Sequence, residues 1–254
     1  MSDSGEMTFW DHLDVLRASI VRVVLVLLVT AVGIFACKNF LFDGLLLAPS
    51  KEDFFLYKWI GADFSLNMIN IEITAAFMTH MKMAFLLAII VTFPYLLFKI
   101  WQFIAPALYE NEKKKIRKAF LFASGLFYFG ITVGFTLIFP LMLNFFANYE
   151  ISSSVPNTFS ITSYFSLLTS MVFTFGIVFE FPTLVALLSA LGILKKQTMT
   201  KYRRHAICAV VILAAVITPS GDPFSLAVVA IPLYLLYEFS VLICKPAEPE
   251  SIEN

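Results

Sequence analysis

Charge is what this sequence has least of. Only 14% of its 254 residues are Asp, Glu, Lys or Arg, against 59% hydrophobic and 16% aromatic. That scarcity excludes a soluble globular domain, which could not keep so much Phe, Leu, Ile and Val out of water. The formal net charge is zero, so bulk charge makes no case for nucleic acid. Cysteine is sparse too: Cys37, Cys208 and Cys244 are odd in number and show no CxxC spacing, which argues against a disulfide framework. They read as small apolar residues near span ends. His12, His80 and His205 lie far apart and belong to no HExxH-type cluster, so no metal site is expected. There is no GxxxxGK[ST] and no GxSxG, so neither nucleotide hydrolysis nor an intramembrane hydrolase is expected. The chain reads as a non-enzyme with no cofactor, and no internal repeat is visible.

What the sequence has is long apolar runs, with a bilayer as their solvent. Six candidate spans stand out: Ala18–Phe42, Thr74–Ile100, Ala119–Phe146, Tyr164–Leu191, Ala206–Pro219 and Phe224–Cys244. A helix needs about 20 residues to cross about 30 Å of hydrocarbon. The first four meet that length. The fifth has 14 residues, enough for about 21 Å, and "PSGDP" then turns the chain at once into the sixth. Either this pair sits deep against the longer spans, or the bilayer thins beside it, or it forms a re-entrant hairpin that never crosses. The start, "MSDSGEMTFWDHLDVLR", carries acids and aromatics, and the run after it is too long for a signal h-region. The first span is therefore expected to stay. The fold class predicted is all-α and polytopic, with residues 1–245 as one six-helix domain. The proline-rich acidic end, 246–254, is expected to be a disordered tail.

Placing the bases orients the spans. Fourteen Lys and Arg fall on one side, including Arg17, Lys99, Lys113, Arg117, Lys195 and Arg203; the other side holds Lys38, Lys51 and Lys58. The positive-inside rule then puts both termini in the cytoplasm. Outside lie a segment near 43–73, rich in aromatics like an interfacial cap, and one near 147–163 ending at Ser160, a suitable N-cap.

Three charges fall within spans. Lys82 lies in the outer half of the second, where its stem can snorkel. Glu238 lies near the inner end of the sixth and can reach headgroups. Glu180 has apolar residues on both sides and too short a stem to escape. Pro182 weakens the helix beside it, and Gly176 permits close backbone approach. Glu180 is then either a neutral acid bonded to a freed carbonyl or a group facing a cavity or partner helix.

The loop "KIWQFIAPALYENEKKKIRKAF" (Lys99–Phe120) joins an aromatic platform, bent by Pro106, to Tyr109, Glu110 and Glu112, then to a run of bases. Topogenic bases explain the lysines. Two carboxylates beside aromatic surface suit a ligand that is basic at one end and apolar at the other, since a guanidinium binds a carboxylate through paired hydrogen bonds.

At this point the chain resembles the TatC family, the polytopic subunit of the twin-arginine protein translocase. The resemblance rests on "FPYLLFKIWQFIAPALYENEKK" (Phe93–Lys114), "FGIVFEFP" (Phe175–Pro182), "TPSGDPFSLAVVAIPLYLLYE" (Thr218–Glu238) and, more weakly, "HLDVLR" (His12–Arg17). It implies a receptor for signal peptides carrying two consecutive arginines. Together with single-span TatA- and TatB-type subunits, and by self-association in a multi-subunit complex, such a protein would export folded cargo using the proton gradient. It implies a bacterial inner membrane, the lack of a transit peptide weighing against an organelle. Glu112 and Phe103 would bind the signal, Pro94 and Pro106 would shape the approach, and Glu110, Asp14 and Arg17 would assist. Glu180 would meet a partner helix. The N-terminal match departs from the family's pattern, because Val15 stands where a glutamate is usual and Asp14 precedes it, about 100° round a helix. Near Lys82, His80 replaces a residue that is often proline. The alternative from another class is a small secondary transporter using Glu180 and Lys82 as an ion relay; a scaffold with no substrate of its own is a third.

Overall fold

The computed structural model describes residues 9–61, 66–105, 110–150, 152, 154, 157–218 and 220–244; for 9–12, 110–116 and 118 it describes the backbone alone. Pro106, Tyr109 and the tail 246–254 lie outside the described residues. The architecture is helical, as lipid requires of a chain that must satisfy its own backbone groups.

Helix α1 spans Phe9–Ala36 and lies along α3, Ala75–Ile104. None of α1's most apolar stretch is buried, so its other faces are left to lipid or partners. The helix begins well before the expected Ala18 and stops short of Phe42: a π-helical turn, Phe40–Leu46, and a 3-10 turn, Ala48–Ser50, follow it. These open a cap containing the short α2, Phe55–Ile60. Gly61, at φ +63°, ends α2 with its N–H on the Tyr57 carbonyl, a left-handed conformation that glycine adopts without a Cβ penalty. The strand β1, Met68–Ile69, pairs in parallel with β2, Phe159–Ser160. Two buried phenols pin the cap: Tyr57 Oη donates to the Pro49 carbonyl at 2.7 Å, and Tyr164 Oη to the Leu46 carbonyl at 2.9 Å. Both expected outer segments thus meet at one end of the bundle, the cap end; the opposite end carries most of the bases.

In α3, Thr79, Met83, Leu86 and Ile90 recur at helical spacing and are buried against the bundle. The third span is α4, Glu110–Val133, continued through a π-helical turn, Gly134–Ile138, into α5, Phe139–Asn148. It starts ahead of the expected Ala119, which places Glu110 and Glu112 on a helix rather than in a loop. The fourth span is α6, Ile161–Val178, then α7, Phe181–Ala190. Ser160 caps α6 as expected, its Oγ accepting from the Ser163 N–H at 3.1 Å. After α8, Lys196–Lys201, come α9, Arg203–Ile217, and α10, Pro223–Ile243. The turn between them carries Gly221 at φ +60°, and Asp222 caps α10 by accepting from the Ser225 N–H at 2.8 Å.

Among the described residues five helical spans are long and apolar enough to cross a membrane. The helix α9, with 15 residues and about 22 Å, is not. The core gathers Phe127, Phe139, Met142, Leu168, Met171 and Phe175, with Val229 and Leu233 of α10. Its tightest seam joins α4 to α6. A Cβ on Gly130 would lie 2.5 Å from the Phe175 carbonyl oxygen, and one on Gly134 3.0 Å from that of Met171. These two glycines, four apart, let the helix backbones approach as only small residues can.

Candidate functional site: a ledge at the basic end and an intramembrane carboxylate

Of the expected signal-binding residues, Pro106 lies outside the described ones; the others lie toward the basic end, and one of them is on a face turned away from the groove described next. Phe103 lies in the last turn of α3, which runs on past the expected Ile100. It lines an apolar groove of about 190 Å³ between α1 and α3, with Leu16, Ile20 and Val23 on one wall and Leu96 and Ile100 on the other. Lys99, at the rim, donates to Gln102 Oε1 at 2.9 Å. Pro94 lies inside α3, two turns before Phe103. Trp101 has its indole N–H buried without a partner, and the Arg117 guanidinium stands 5.9 Å from its ring. Glu110 and Glu112 occupy the first turn of α4, at the same end.

Asp14 is the one turned away. The segment is helical, so Asp14 lies about 160° round from Leu16, the groove-facing residue. It is exposed on the far face of α1. Arg17 is exposed as well, and neither takes part in an ion pair among the described residues.

Glu180 sits at the break between α6 and α7. Pro182 occupies the first turn of α7, so the ladder is interrupted where its missing N–H would be needed. About 28 Å from Ile161 in a span of about 45 Å, Glu180 lies a few ångströms past the middle on the side of the basic end. It lines a cavity of about 240 Å³ with Leu97 and Ile100 of α3, Phe120 and Ala123 of α4, and Thr183. Glu180 Oε1 and Thr183 Oγ1 are both buried with no hydrogen-bond partner. The freed-carbonyl reading of Glu180 finds no bond to support it at Oε1. Gly176 does provide the close approach expected: a Cβ there would touch Phe127 and Ile131 at 3.0 Å.

Glu238 does not turn to the headgroups. Its Oε2 accepts from Arg203 Nη2 and its Oε1 from Tyr234 Oη, each at 2.8 Å, so it ties α9 to α10. Lys82 lines a different cavity, about 380 Å³, with Thr79, Thr162, Ser166, Thr169 and Ser170. No residue is shared with the Glu180 cavity, and the two charges are on the order of 18 Å apart along the helix axes. A direct relay between them is not built here. His80 is buried, stacked on Phe35 at 3.9 Å and edge-on to Phe42 at 5.4 Å, with Nε2 unpartnered.

Sequence reasoning passed over several of these features. Thr162, Ser166, Thr169 and Ser170 follow i, i+4, i+7, i+8, a polar stripe visible in the sequence. The Gly130–Gly134 spacing was equally visible. The Arg203–Glu238 pair, 35 positions apart, had no local signal.

A sequence model of the family described as Sec-independent protein translocase protein (TatC) matches residues 11–232. The chain is similar to the TatC protein of Blattabacterium sp. subsp. Periplaneta americana, 32% identical over 95% of this chain and 96% of that one. It is similar to that of Carboxydothermus hydrogenoformans, 32% identical over 98% of this chain and 97% of that one. Escherichia coli K12 TatC is 33% identical over 69% of this chain and 67% of its own length. A crystal structure of a twin-arginine translocase receptor, TatC, in detergent superposes with a TM-score of 0.77 at 26% identity, covering 92% of this chain and 99% of that one. With a family model matching most of its length, relatives about a third identical end to end and a superposable fold, the chain belongs to the TatC family of membrane protein-transport subunits.

Proposed function

We propose that this TatC subunit receives twin-arginine signal peptides at its basic end, that this end faces the cytoplasm, and that the chain crosses the membrane six times, α9 included. The observation that carries the reading is the groove between α1 and α3. It puts Phe103 beside Leu16 and Ile20 at the end where α4 begins with Glu110 and Glu112. A ligand with arginines followed by apolar side chains meets carboxylates and an oily slot in that order. Glu112 is the main acceptor and Glu110 an auxiliary, because Asp14 lies on the other face of α1. Pro94 and Pro106 set the path of the chain into the ledge, and Arg17 borders it. Glu180, whose Oε1 is buried in its cavity without a hydrogen bond among the described residues, receives a polar group from a single-span TatA- or TatB-type helix. The complex then exports folded proteins across a bacterial inner membrane using the proton gradient.

A carboxylate–guanidinium pair at such an interface contributes about 1.5–3 kcal/mol, so Glu112→Ala should weaken signal binding by roughly ten- to a hundredfold. The test is photo-crosslinking from a reactive residue at position 103 to a precursor signal, with its arginines intact or replaced by lysine. Crosslinking should fall with the lysine signal and with Glu112→Ala. An unchanged yield in both would overturn the assignment. Labelling of a single cysteine at position 112 from the outer side of sealed cells would overturn the orientation.

A further inference from the structure

A second polar feature, unconnected to the ledge, lies toward the cap end. Between α3 and α6 a groove of about 380 Å³ is lined by Thr79, Lys82, Thr162, Ser166, Thr169 and Ser170, together with Met83 and Phe165. Six of its eight lining side chains are polar, in the cap-end third of two apolar spans. Two of the hydroxyls are engaged: Thr169 Oγ1 donates to the Phe165 carbonyl at 2.7 Å and Ser170 Oγ to the Ile217 carbonyl at 3.5 Å. Those of Thr79, Thr162 and Ser166 have no such bond among the described residues, and Lys82 pairs with no carboxylate there. No acidic side chain lines the groove. It therefore offers one cation and several hydrogen-bond donors, which is the demand of a phosphate.

Depth and surroundings decide what carries that phosphate. The second and fourth spans each have 30 residues, about 45 Å, roughly 15 Å more than the hydrocarbon. With the excess shared between both ends, Lys82, about 10 Å below the start of α3, has its Cα just inside the hydrocarbon edge. Its four-carbon stem then returns the ammonium to headgroup level. On that face of α3, one and two turns below Lys82, stand Phe85, which is exposed, and the half-buried Ile89. An ammonium and hydroxyls above a run of apolar side chains match a headgroup above its acyl chains. A partner carboxylate would need only the ammonium, whereas the hydroxyls of Thr162 and Ser166, nearer the cap end than Lys82, add the further donors that a phosphate's several oxygens take up. We propose that the α3–α6 groove is a binding site for the phosphate of an anionic phospholipid in the leaflet at the cap end, with Lys82 as its cationic anchor and Thr162 and Ser166 as hydrogen-bond donors.

The test is native mass spectrometry of the detergent-purified, delipidated full chain, titrated with phosphatidylglycerol or phosphatidylcholine. The wild type should retain phosphatidylglycerol more tightly than the zwitterionic lipid. Lys82→Gln should weaken phosphatidylglycerol binding about tenfold and leave phosphatidylcholine unchanged. Thr162→Val with Ser166→Ala, which keeps the charge, should cost about threefold, and Lys82→Arg should rescue. Lys201→Gln, on an exposed lysine near the basic end, should change nothing. Equal phosphatidylglycerol binding by wild type and Lys82→Gln would overturn the proposal. So would displacement of the lipid by inorganic phosphate at comparable concentration, which would make this a free-anion site. Loss of a copurified single-span subunit from Lys82→Gln with lipid binding intact would assign the lysine to a protein carboxylate instead.

Discussion

Gly130→Ala sets one added carbon against the seam that positions Glu180. A Cβ at residue 130 would fall 2.5 Å from the Phe175 carbonyl oxygen and 2.6 Å from Phe179 Cβ. Ordinary contact begins near 3.4 Å, so α4 and α6 must part by most of an ångström. Neither obstacle is the free end of a flexible side chain, and repacking cannot relieve the overlap. Overpacking of this kind costs about 1–3 kcal/mol, and this geometry belongs at the upper end. Gly125, in the same helix, has nothing within 4 Å of its missing Cβ. There Gly125→Ala should stabilise by about 0.5–1 kcal/mol, through the lower backbone entropy of the unfolded chain. The two variants should thus differ by about 2–4 kcal/mol with opposite signs. At about 2–4 °C per kcal/mol for a chain of this size, thermal unfolding in detergent followed by circular dichroism separates them clearly. Phe179 adjoins Glu180, so Gly130→Ala should also weaken copurification of single-span subunits while leaving signal crosslinking at Phe103 intact. If Gly130→Ala proved as stable as Gly125→Ala, the seam is not as close as described and the link to Glu180 falls with it.

Other expectations follow from single groups. Glu180→Met removes a buried unpartnered oxygen and keeps the volume. It should raise the thermal midpoint of the isolated chain, by up to about 1–3 kcal/mol, yet lose the single-span subunits; a lower midpoint would mean that the carboxylate is satisfied within the chain. Tyr164→Phe deletes the bond to the Leu46 carbonyl and should cost about 1–2 kcal/mol, with faster amide exchange in the cap than in the bundle; uniform exchange would refute the phenol as a pin. Desolvation pushes the Asp222 carboxyl up, but hydrogen bonds from Ser220, Ser225 and the Phe224 backbone outweigh it and hold the group below its ordinary value. A depressed folded value gives stability that is complete above the ordinary carboxylate range and lost as pH falls through the depressed one. Asp222→Ala should therefore cost about 1 kcal/mol at pH 7, and the gap to wild type should begin to narrow below about pH 4 and go on closing as the depressed value is passed; a gap that does not narrow with acidification would exclude the carboxylate cap.

The spans were legible because hydrocarbon demands apolar length, but helix ends were not, and the reason is physical. Hydropathy marks where lipid begins, whereas a helix continues while its residues favour it. Glu, Lys and Arg are good helix formers, so "ENEKKKIRK" runs on from α4 into the aqueous side without a break. The start of α1 behaves likewise, its helix beginning at Phe9 ahead of the apolar run. At the cap end the opposite holds. Pro49 and Gly61 close short turns, and the first span stops at Ala36 although Phe40, Leu41 and Phe42 remain apolar. Glu180 was legible because a short carboxylate in an apolar run has no escape, and Pro182 located its break. Asp14 was not, since its worth depends on helix phase relative to Leu16, which only the packing of α1 on α3 fixes.

The least satisfied parts of this chain are the ones its family membership would use. Helix α1 packs along α3 without fully burying any residue of its most apolar stretch, so surface is left uncovered beside the groove at Phe103. Oε1 of the Glu180 carboxylate and the neighbouring Thr183 hydroxyl are both buried with no well-formed hydrogen bond among the described residues. An isolated protein would gain stability by filling both, and the core between α4 and α6 shows that this sequence can pack as tightly as glycine allows. The contrast between that seam and these two open places suits the proposed reading, in which the bundle is rigid where it holds the carboxylate's position and incomplete where a signal and a partner helix would supply the missing surface.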